Sequence, residues 1–518
     1  MKKIYSILFL FFVYKAYSQE TSKINFKEIK NNIRLNFIQI EQPDLVLSGY
    51  QLKPKMGLMG FNYNIHFNEW LYTGVGIHAA VTGDQGGLFT LGVNLGVNKK
   101  IYKNIFFDAN VHFGGGGGFR RLVNGGGIIY PKIGLQYKND SFSFGAQYGY
   151  VNFFTGIQKG DNISFFLEIP SKLVFGSYKE ANKEYIFDDE NKRPKKTAVK
   201  NAQLVTLDYF FPIGNSRNDG DGDFLNTTPL NQTLYIIGFE YQKYIRQNTF
   251  LYVHTDTMYG GLTSGFMDLF FGIGHNFLST RKINLYAKAG IGAAGGRIFP
   301  EGGITAYPSA GIDYKISKKF ALSAHGGIHR AIGGTFEAYT LGFSLKYFGI
   351  SGGFETPFEK DKISKIFMKG IRIGVINQTY INVARDRTDS RDLQLIAVKS
   401  YFDLNKRFYL SAEASFAYLG NSGGYAHGMF ASGIKSNTFM NDKISMFAEF
   451  AFGVAGGGRV DSGEGVMMRP NAGINLHINN SLNLILSGGR LISPFGNVNS
   501  TNFNIGLSYG LTLLKEKK

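Results

Sequence analysis

Apolar residues alternate strictly with polar or small residues along many segments of the chain. In residues 283–291 every second side chain is apolar, and the positions between them include Asn284 and Lys288. Residues 105–113 and 444–452 follow the same period of two. Because successive side chains of a β-strand point to opposite faces, this period predicts strands with two chemically different faces.

The connections between these predicted strands alternate in length. Short connections fall at 68–69, 138–140, 245–248, 317–319 and 479–480, and long ones at 41–53, 212–232 and 383–392. Antiparallel up-and-down strands with short turns on one rim and long loops on the other are typical of a transmembrane β-barrel. The pattern predicts an all-β chain of about 24 strands.

Three stretches of the chain share an order of features, which indicates internal repeats. In each, an arginine is followed eleven residues later by a proline that opens a P-x-x-G sequence. These positions are Arg120, Pro131 and Gly134; then Arg297, Pro308 and Gly311; then Arg459, Pro470 and Gly473. We predict three eight-stranded repeats, at 31–178, 200–350 and 369–514.

The segments outside the repeats have different compositions. Residues 1–18 combine two lysines at positions 2 and 3, a short apolar run and the sequence Ala-Tyr-Ser, and are predicted to be a cleaved signal peptide. The remaining segments are polar or charged and are predicted to be a lead at 19–30, linkers at 179–199 and 351–368, and a basic tail at 515–518.

Composition narrows the possible functions. The chain has no cysteine, which excludes disulfides, thiolate metal sites and cysteine nucleophiles. Its formal net charge is +18, and the excess of Lys and Arg lies largely in turns, linkers and loops. Such charge would attract anionic lipid headgroups. Nucleic-acid binding is not expected of an exported chain that lacks a basic recognition element.

The composition of the two strand faces indicates which one meets lipid. One face is mainly Gly, Ser, Asn, Ala and Gln, which suits an enclosed interior, whereas the other is rich in Phe, Ile, Leu, Tyr and Val. The second face suits hydrocarbon. Aromatic residues at predicted strand ends would fit an interfacial girdle: Trp70, Tyr72, Tyr102, Tyr137, Tyr314 and Tyr347.

With eight strands, each repeat resembles a small outer-membrane β-barrel of Gram-negative bacteria. The resemblance implies residence in the outer membrane, contact with its lipid and lipopolysaccharide, and insertion by the barrel-assembly machinery. Either three tandem barrels or one wide barrel would fit the strands. The small residues of the inner face and the polar linkers favour three.

Two sets of residues are candidates for function. The repeated arginines at 120, 297 and 459 could bind phosphate or carboxylate groups at the extracellular rim. A structural role, with hydrogen bonds inside the barrel mouth, is the interpretation that we favour. The repeated prolines are predicted to begin strands, and the glycines three residues later to lie on the inner face.

The second set could supply a lipid hydrolase, which needs a nucleophile, a base and an orienting group. His254 and Asp256 share one strand face, and so do Ser323 and His325. We favour polar lining with internal ion pairs, whose further members would be Asp108, Lys288, Glu413 and Glu449. We therefore expect no catalytic residue, cofactor or metal.

The sequence as a whole predicts a non-enzymatic integral outer-membrane β-barrel protein with a structural, anchoring or surface-binding role. A wide-barrel pore or transporter for small polar solutes is the first alternative. A lipid-modifying outer-membrane enzyme is the second.

Overall fold

The computed structural model describes residues 27–47, 50–118, 120–139, 141–187, 199–219, 227–262, 265–296, 298, 303–351, 364–385 and 389–517. The predicted signal peptide lies outside them. They form antiparallel β-strands, with a short helix α1 at Arg120–Val123 and a 3-10 turn at Tyr178–Glu180. In this described part no helix is long and apolar enough to span a membrane. The predicted all-β antiparallel class is confirmed.

The first ten strands build one ring. They are β1 (Lys27–Glu41), β2 (Val46–Leu47), β3 (Tyr50–Gln51), β4 (Lys55–His66), β5 (Leu71–Thr82), β6 (Phe89–Tyr102), β7 (Ile105–Gly117), β8 (Ile128–Lys138), β9 (Ser143–Phe153) and β10 (Lys159–Ser177). β1 pairs with both β4 and β10, and β4 to β10 pair in sequence. These eight strands close into what we call the first ring, while β2 and β3 form a small hairpin.

Eight of the next eleven strands build a second ring. The eleven are β11 (Glu184–Phe187), β12 (Val199–Pro212), β13 (Arg217–Asp219), β14 (Thr227–Pro229), β15 (Leu234–Tyr244), β16 (Thr249–Gly260), β17 (Met267–Ser279), β18 (Ile283–Gly295), β19 (Ile304–Lys315), β20 (Phe320–Ala331) and β21 (Glu337–Ser351). β12 and β15 to β21 form a closed barrel, the second ring. β13 and β14 pair with each other in its longest loop.

The last eight strands also close on themselves. They are β22 (Ser364–Ala384), β23 (Ser390–Asp403), β24 (Phe408–Leu419), β25 (Ala426–Lys435), β26 (Ile444–Gly456), β27 (Val466–His477), β28 (Leu482–Ile492) and β29 (Asn499–Lys517). β29 pairs along its length with β22, so that Tyr509 lies opposite Ile373. These strands form the third ring, whose β29 pairs with β10 of the first ring at only two positions.

The segments predicted to be polar joints are partly folded, which corrects their boundaries. They are the lead at 19–30, the linkers at 179–199 and 351–368, and the tail at 515–518. β1 begins at Lys27, β11 pairs with the first residues of β22, and β29 ends at Lys517. A strand end can satisfy its backbone by pairing while its charged side chains remain in water, so polar composition did not mark the strand ends.

Each ring has a polar interior and an apolar outer surface. On β10, Phe165 and Leu167 are exposed, whereas the flanking Ser164 and Glu168 are buried. Under the long loops the interior changes to packed apolar side chains, such as Ile38 and Val151 in the first ring, with equivalent clusters in the other two. The interiors are therefore filled rather than open.

The three rings pack against one another in a cycle. β5 contacts β18, β16 contacts β26, and β24 contacts β7, so the third strand of each ring meets the fifth strand of another. The contact between the first two rings is close: a Cβ on Gly295 would lie 2.3 Å from Gly87 Cα. Between the first and third rings, a Cβ on Gly117 would lie 2.1 Å from Gly424 N. Only glycine allows backbones to approach this closely.

Candidate functional site

A network of ion pairs crosses the interior of the first ring. Arg34 of β1 donates from Nη1 to Asp108 Oδ1 and from Nε to Glu168 Oε2, both at 3.0 Å. Tyr72 Oη and Gln147 Nε2 also donate to Asp108, at 3.2 and 2.6 Å. The prediction that Tyr72 belongs to an interfacial girdle is wrong, because its hydroxyl is directed inward to this carboxylate.

The third ring contains a comparable network. Arg469 Nη2 lies 2.7 Å from Glu413 Oε2, and Lys399 Nζ lies 3.2 Å from the same oxygen. Lys399 also pairs with Glu449, and Arg469 Nη1 donates to Tyr380 Oη at 2.9 Å. Each acid of this network therefore has a basic partner.

In the second ring, strand register brings acids beside a histidine. Glu240 of β15 and His254 of β16 are register partners, as are Asp256 of β16 and Asp268 of β17. His254 Nδ1 lies 3.0 Å from Glu240 Oε2, and His254 Nε2 lies 2.8 Å from Asp256 Oδ2. Lys288 of β18 pairs with the same oxygen of Glu240.

A second histidine–carboxylate contact forms in the same ring across a glycine. Asp208 of β12 and His325 of β20 are both register partners of Gly342 on β21. Because Gly342 has no side chain, the two side chains meet above it, with His325 Nε2 2.8 Å from Asp208 Oδ1. A Cβ on Gly342 would lie 1.7 Å from Asp208 Oδ1.

Together these side chains form what we call the histidine–carboxylate cluster. Its members are all buried: Asp208, Asp256, Asp268, His254, His325 and His329. The ligand atoms of Asp208, His254 and Asp256 all lie within 4.8 Å of one another. His329 Nδ1 lies farther out, 3.9 Å from Asp268 Oδ2. Convergence of so many titratable groups makes this cluster the candidate site.

Charge balance separates the second ring from the others. Among its described strand residues, the buried acids are Asp208, Glu240, Asp256, Asp268 and Asp313, and the buried bases other than histidine are Lys288 and Lys346. In the first ring the corresponding residues are Asp108 and Glu168 against Arg34 and Lys132, and in the third they are Asp403, Glu413 and Glu449 against Arg372, Lys399 and Arg469. The second interior alone has more acids than bases by this count.

The three repeated arginines do not converge on one site. Arg120 begins α1, and Arg297 lies outside the described residues. Arg459 lies in the loop between β26 and β27 with a φ of 63°. The anion-binding and structural interpretations of these arginines both stay predictions.

The prediction that Pro131, Pro308 and Pro470 begin strands is wrong, because they lie inside β8, β19 and β27. All three are exposed on the outer face, next to a gap in pairing with the following strand. On β19, for example, pairing stops at Ala306 and resumes at Ser309. Proline has no N–H to donate, so a strand accommodates it where the ladder is interrupted.

The repeated glycines Gly134, Gly311 and Gly473 lie on the inner face, close to neighbouring strands. A Cβ on Gly311, for example, would lie 2.6 Å from the buried Tyr286 Oη. A larger residue at such a position would displace interior side chains, which agrees with a structural role.

Of the residues considered for a hydrolase, His254 and Asp256 contact each other, but Ser323 and His325 have different partners. Ser323 Oγ donates to Asp313, whereas His325 faces Asp208. The residues predicted to form internal ion pairs are all buried and paired: Asp108, Lys288, Glu413 and Glu449.

Several central residues were not found from the sequence. They are Arg34, Asp208, Glu240, Asp268 and His329. Each lies at an inward position of a strand, so the alternation of apolar and polar residues could have predicted that its side chain faces the interior. Its partner depends on which strands become neighbours and at what register, which one strand's pattern does not specify.

No protein-family model matches the chain, and no curated protein matches it. Among solved structures it is similar to the outer membrane protein OpdK from Pseudomonas aeruginosa, with 8% identity, 93% of this chain and 99% of that chain covered, and a TM-score of 0.22. It is also similar to the siderophore receptors PirA from Pseudomonas aeruginosa and from Acinetobacter baumannii. Each is 8% identical with a TM-score of 0.26, covering 93% and 94% of this chain and 80% and 81% of the receptors, respectively. Identities and TM-scores this low carry no argument about function.

Proposed function

We propose that the chain is an integral outer-membrane protein made of three tandem eight-stranded barrels, with a structural, anchoring or surface-binding role. The observation that carries this proposal is the apolar outer surface of the rings around charged interiors. Leu345 and Phe503, on the outer faces of the second and third rings, are 51% and 59% exposed. A contiguous surface of this kind is unfavourable in water and favourable in hydrocarbon.

Strand closure supports the same placement. A strand edge with unpaired N–H and C=O groups is not tolerated in lipid, where no water can bond them. In each ring the first strand pairs with the last, β1 with β10, β12 with β21 and β22 with β29, so the rings have no such edges. Trp70, Tyr102, Tyr137 and Tyr314 are exposed near the short turns, where aromatic residues suit the membrane interface.

Two observations support a tandem triplication. The repeated proline lies on the sixth strand of each ring and adjoins the same gap in pairing. The contacts between rings also repeat, with the third strand of one ring against the fifth strand of another. Cyclic contacts of this kind are typical of assemblies with threefold symmetry, so the chain would be a trimer of barrels joined covalently.

The filled interiors favour anchoring or binding over passage of solutes. In the third ring, a cavity bounded by Lys399, Glu413 and Arg469 has a volume of about 10 Å³, which is the space of one water molecule. Apolar side chains pack beneath the long loops of all three rings. The outer wall would contact lipid and the acyl chains of lipopolysaccharide, after insertion by the barrel-assembly machinery.

A pore or transporter for small polar solutes is the second candidate function. The similar structures include siderophore receptors, but transport by this chain does not follow from TM-scores of 0.26. Conductance decides between the two candidates. Wide aqueous channels give large, stable steps in planar bilayers, whereas narrow barrels have interiors filled by side chains.

The experiment is performed on full-length protein expressed in the outer membrane of a Gram-negative host. We expect it to remain in the membrane fraction after carbonate and urea washes and to require detergent for extraction. Monodisperse protein in detergent-free buffer would contradict the membrane placement. After reconstitution into planar bilayers, we expect no stable conductance steps, and reproducible large steps would support the pore instead.

A further inference from the structure

We infer that Asp208, His254 and Asp256 bind a divalent transition-metal ion inside the second ring, with His325 as the fourth side chain at the site. Imidazole nitrogen and carboxylate oxygen together suit Zn²⁺ and ions of similar chemistry. This inference goes beyond the structural role proposed above, since it assigns a ligand to one ring only.

The spacing of the donor atoms supports one shared ion. Ligand atoms that lie about 2 Å from the same ion are roughly 3 Å from one another. His254 Nε2 and Asp256 Oδ2 are 2.8 Å apart, and so are His325 Nε2 and Asp208 Oδ1. The ligand atoms of Asp208, His254 and Asp256 lie within 4.8 Å of one another, so rotation of one carboxylate would bring all three to the ion.

The two 2.8 Å contacts, His254 Nε2 with Asp256 and His325 Nε2 with Asp208, are close charge pairs that lack the alignment of a hydrogen bond. Both carboxylate oxygens of Asp208 and of Asp256, His254 Nε2 and both ring nitrogens of His325 are buried and make no well-aligned hydrogen bond in the protein. Buried polar atoms are normally satisfied, because an unsatisfied one loses its hydration without compensation. A metal ion bound between them would satisfy the atoms that face it.

A neighbouring acid orients the histidine as a metal ligand. Glu240 Oε2 lies 3.0 Å from His254 Nδ1, and Glu240 is itself held by Lys288. When Nδ1 carries the proton and donates to a carboxylate, Nε2 presents its lone pair to an ion. Histidine ligands of metals commonly have such a carboxylate behind them.

Charge and space both point to the same place. Among the described strand residues, the second ring has five buried acids and two buried lysines, whereas the buried acids and bases of the first and third rings are equal in number. An isolated buried carboxylate is costly unless a cation compensates it, and a divalent ion would offset most of this excess. Gly238 and Gly342 make room for the donors: a Cβ there would lie 1.8 Å from Asp256 Oδ1 and 1.7 Å from Asp208 Oδ1.

The alternative is that proton sharing between the histidines and acids alone compensates the charge. Metal content distinguishes the two. Full-length protein, folded in detergent micelles, is incubated with Zn²⁺, desalted, and analysed by mass spectrometry of the metal. We expect about one ion per chain and, with Co²⁺ as an optical probe, d–d absorption bands of a low-coordinate nitrogen and oxygen site.

Variants locate the ion. We expect His254→Gln and Asp256→Asn each to reduce the affinity for Zn²⁺ by a factor of ten or more, because each removes a ligand. Asp313→Asn is the matched control, since Asp313 is a buried acid of the same ring that pairs with Lys346 at 2.9 Å. It should keep the wild-type stoichiometry. Heat-modifiable migration in gels verifies that each variant is folded.

Two results would overturn the inference. One is wild-type protein that, although folded, retains no Zn²⁺ or Co²⁺ above the level of a folded His254→Gln variant. The other is loss of the ion to the same degree in Asp313→Asn and His254→Gln. If the ligand variants fail to fold, X-ray absorption of the wild-type Zn²⁺ complex decides: scattering from one or two imidazoles supports the site, and its absence refutes it.

Discussion

Removal of Arg34 tests whether the buried networks stabilise the rings. In Arg34→Met, the carboxylates of Asp108 and Glu168 lose a partner that contacts both at 3.0 Å. The side chains are 4%, 0% and 5% exposed, respectively, so water does not replace the guanidinium without opening the ring. Methionine fills similar volume, which limits the effect to charge and hydrogen bonding.

The expected loss follows from the geometry. Breaking a buried ion pair by removing one partner costs about 3–5 kcal/mol, because an uncompensated charge stays behind. Four hydrogen bonds join the guanidinium to the two acids, so we expect the upper part of this range. That corresponds to roughly three orders of magnitude in the unfolding equilibrium constant.

The chain provides its own probe for this ring. Its one tryptophan, Trp70, lies at the short turn before β5 and is 52% exposed. Its fluorescence during urea unfolding in detergent micelles therefore reports on the first ring. The free energy of unfolding is obtained by linear extrapolation, provided that the transition is reversible and its slope is unchanged between variants.

Two comparisons make the result decisive. Lys172→Met removes an exposed pair with Glu28, whose partners are 57% and 49% exposed, and should cost about 1 kcal/mol or less. Neutralising Asp108 and Glu168 to Asn and Gln in the Arg34→Met background should recover most of the loss. If Arg34→Met were no worse than Lys172→Met, the buried network would not be a determinant of stability and the reasoning would be refuted.

Three further predictions concern the wall and the contacts between rings. Leu341 lies at an outer position of β21 and is 45% exposed. Leu341→Arg should destabilise the protein in lipid by about 2–4 kcal/mol, measured by unfolding from vesicles. Arginine in place of Ile332, beyond the end of β20, should have little effect. Gly295→Leu should separate the first two rings, because its Cβ would lie 2.3 Å from Gly87 Cα, and disulfide trapping of paired cysteines across that contact should fall several-fold; unchanged trapping would contradict the packing. Pro308→Ala should change the free energy of unfolding by less than about 1 kcal/mol, since the pairing with β20 is already interrupted there. A larger loss in urea unfolding would contradict this account of the proline.

Alternation alone predicts most of the secondary structure. The period of two at 283–291 corresponds to the first nine residues of β18, and the inward positions of Asp108 and Glu449 follow from the same parity. The long loops and charged joints are less well predicted. β11 forms within a charged stretch that carries no strand pattern. Its backbone pairs with β22, and this pairing does not depend on the polarity of its side chains.

The candidate site is harder to predict, because its residues come from strands far apart in sequence. His254 and Asp256 are recognisable as a same-face pair, but Asp208 lies more than forty residues earlier, on the far side of β15. His325 reaches Asp208 only when β12 pairs with β21 and closes the ring. Closure sets which strands are neighbours, and the register of each pair sets the depth at which side chains meet. Neither the closure nor the register can be predicted from the sequence of a single strand.

Glycines on the inner face provide part of this missing information. In a narrow barrel, short side chains from strands two apart meet readily where the strand between them has a glycine on the inner face. Asp208 and His325 meet over Gly342, and Asn94 Nδ2 donates to Asn62 Oδ1 at 2.8 Å, from strands on either side of β5. A Cβ on Gly76 of β5 would lie 2.2 Å from that Asn62 oxygen. An inward glycine therefore does more than fit a small radius, since it selects which polar groups can meet above it. In the second ring this selection gathers acids and histidines without enough lysine or arginine to balance them.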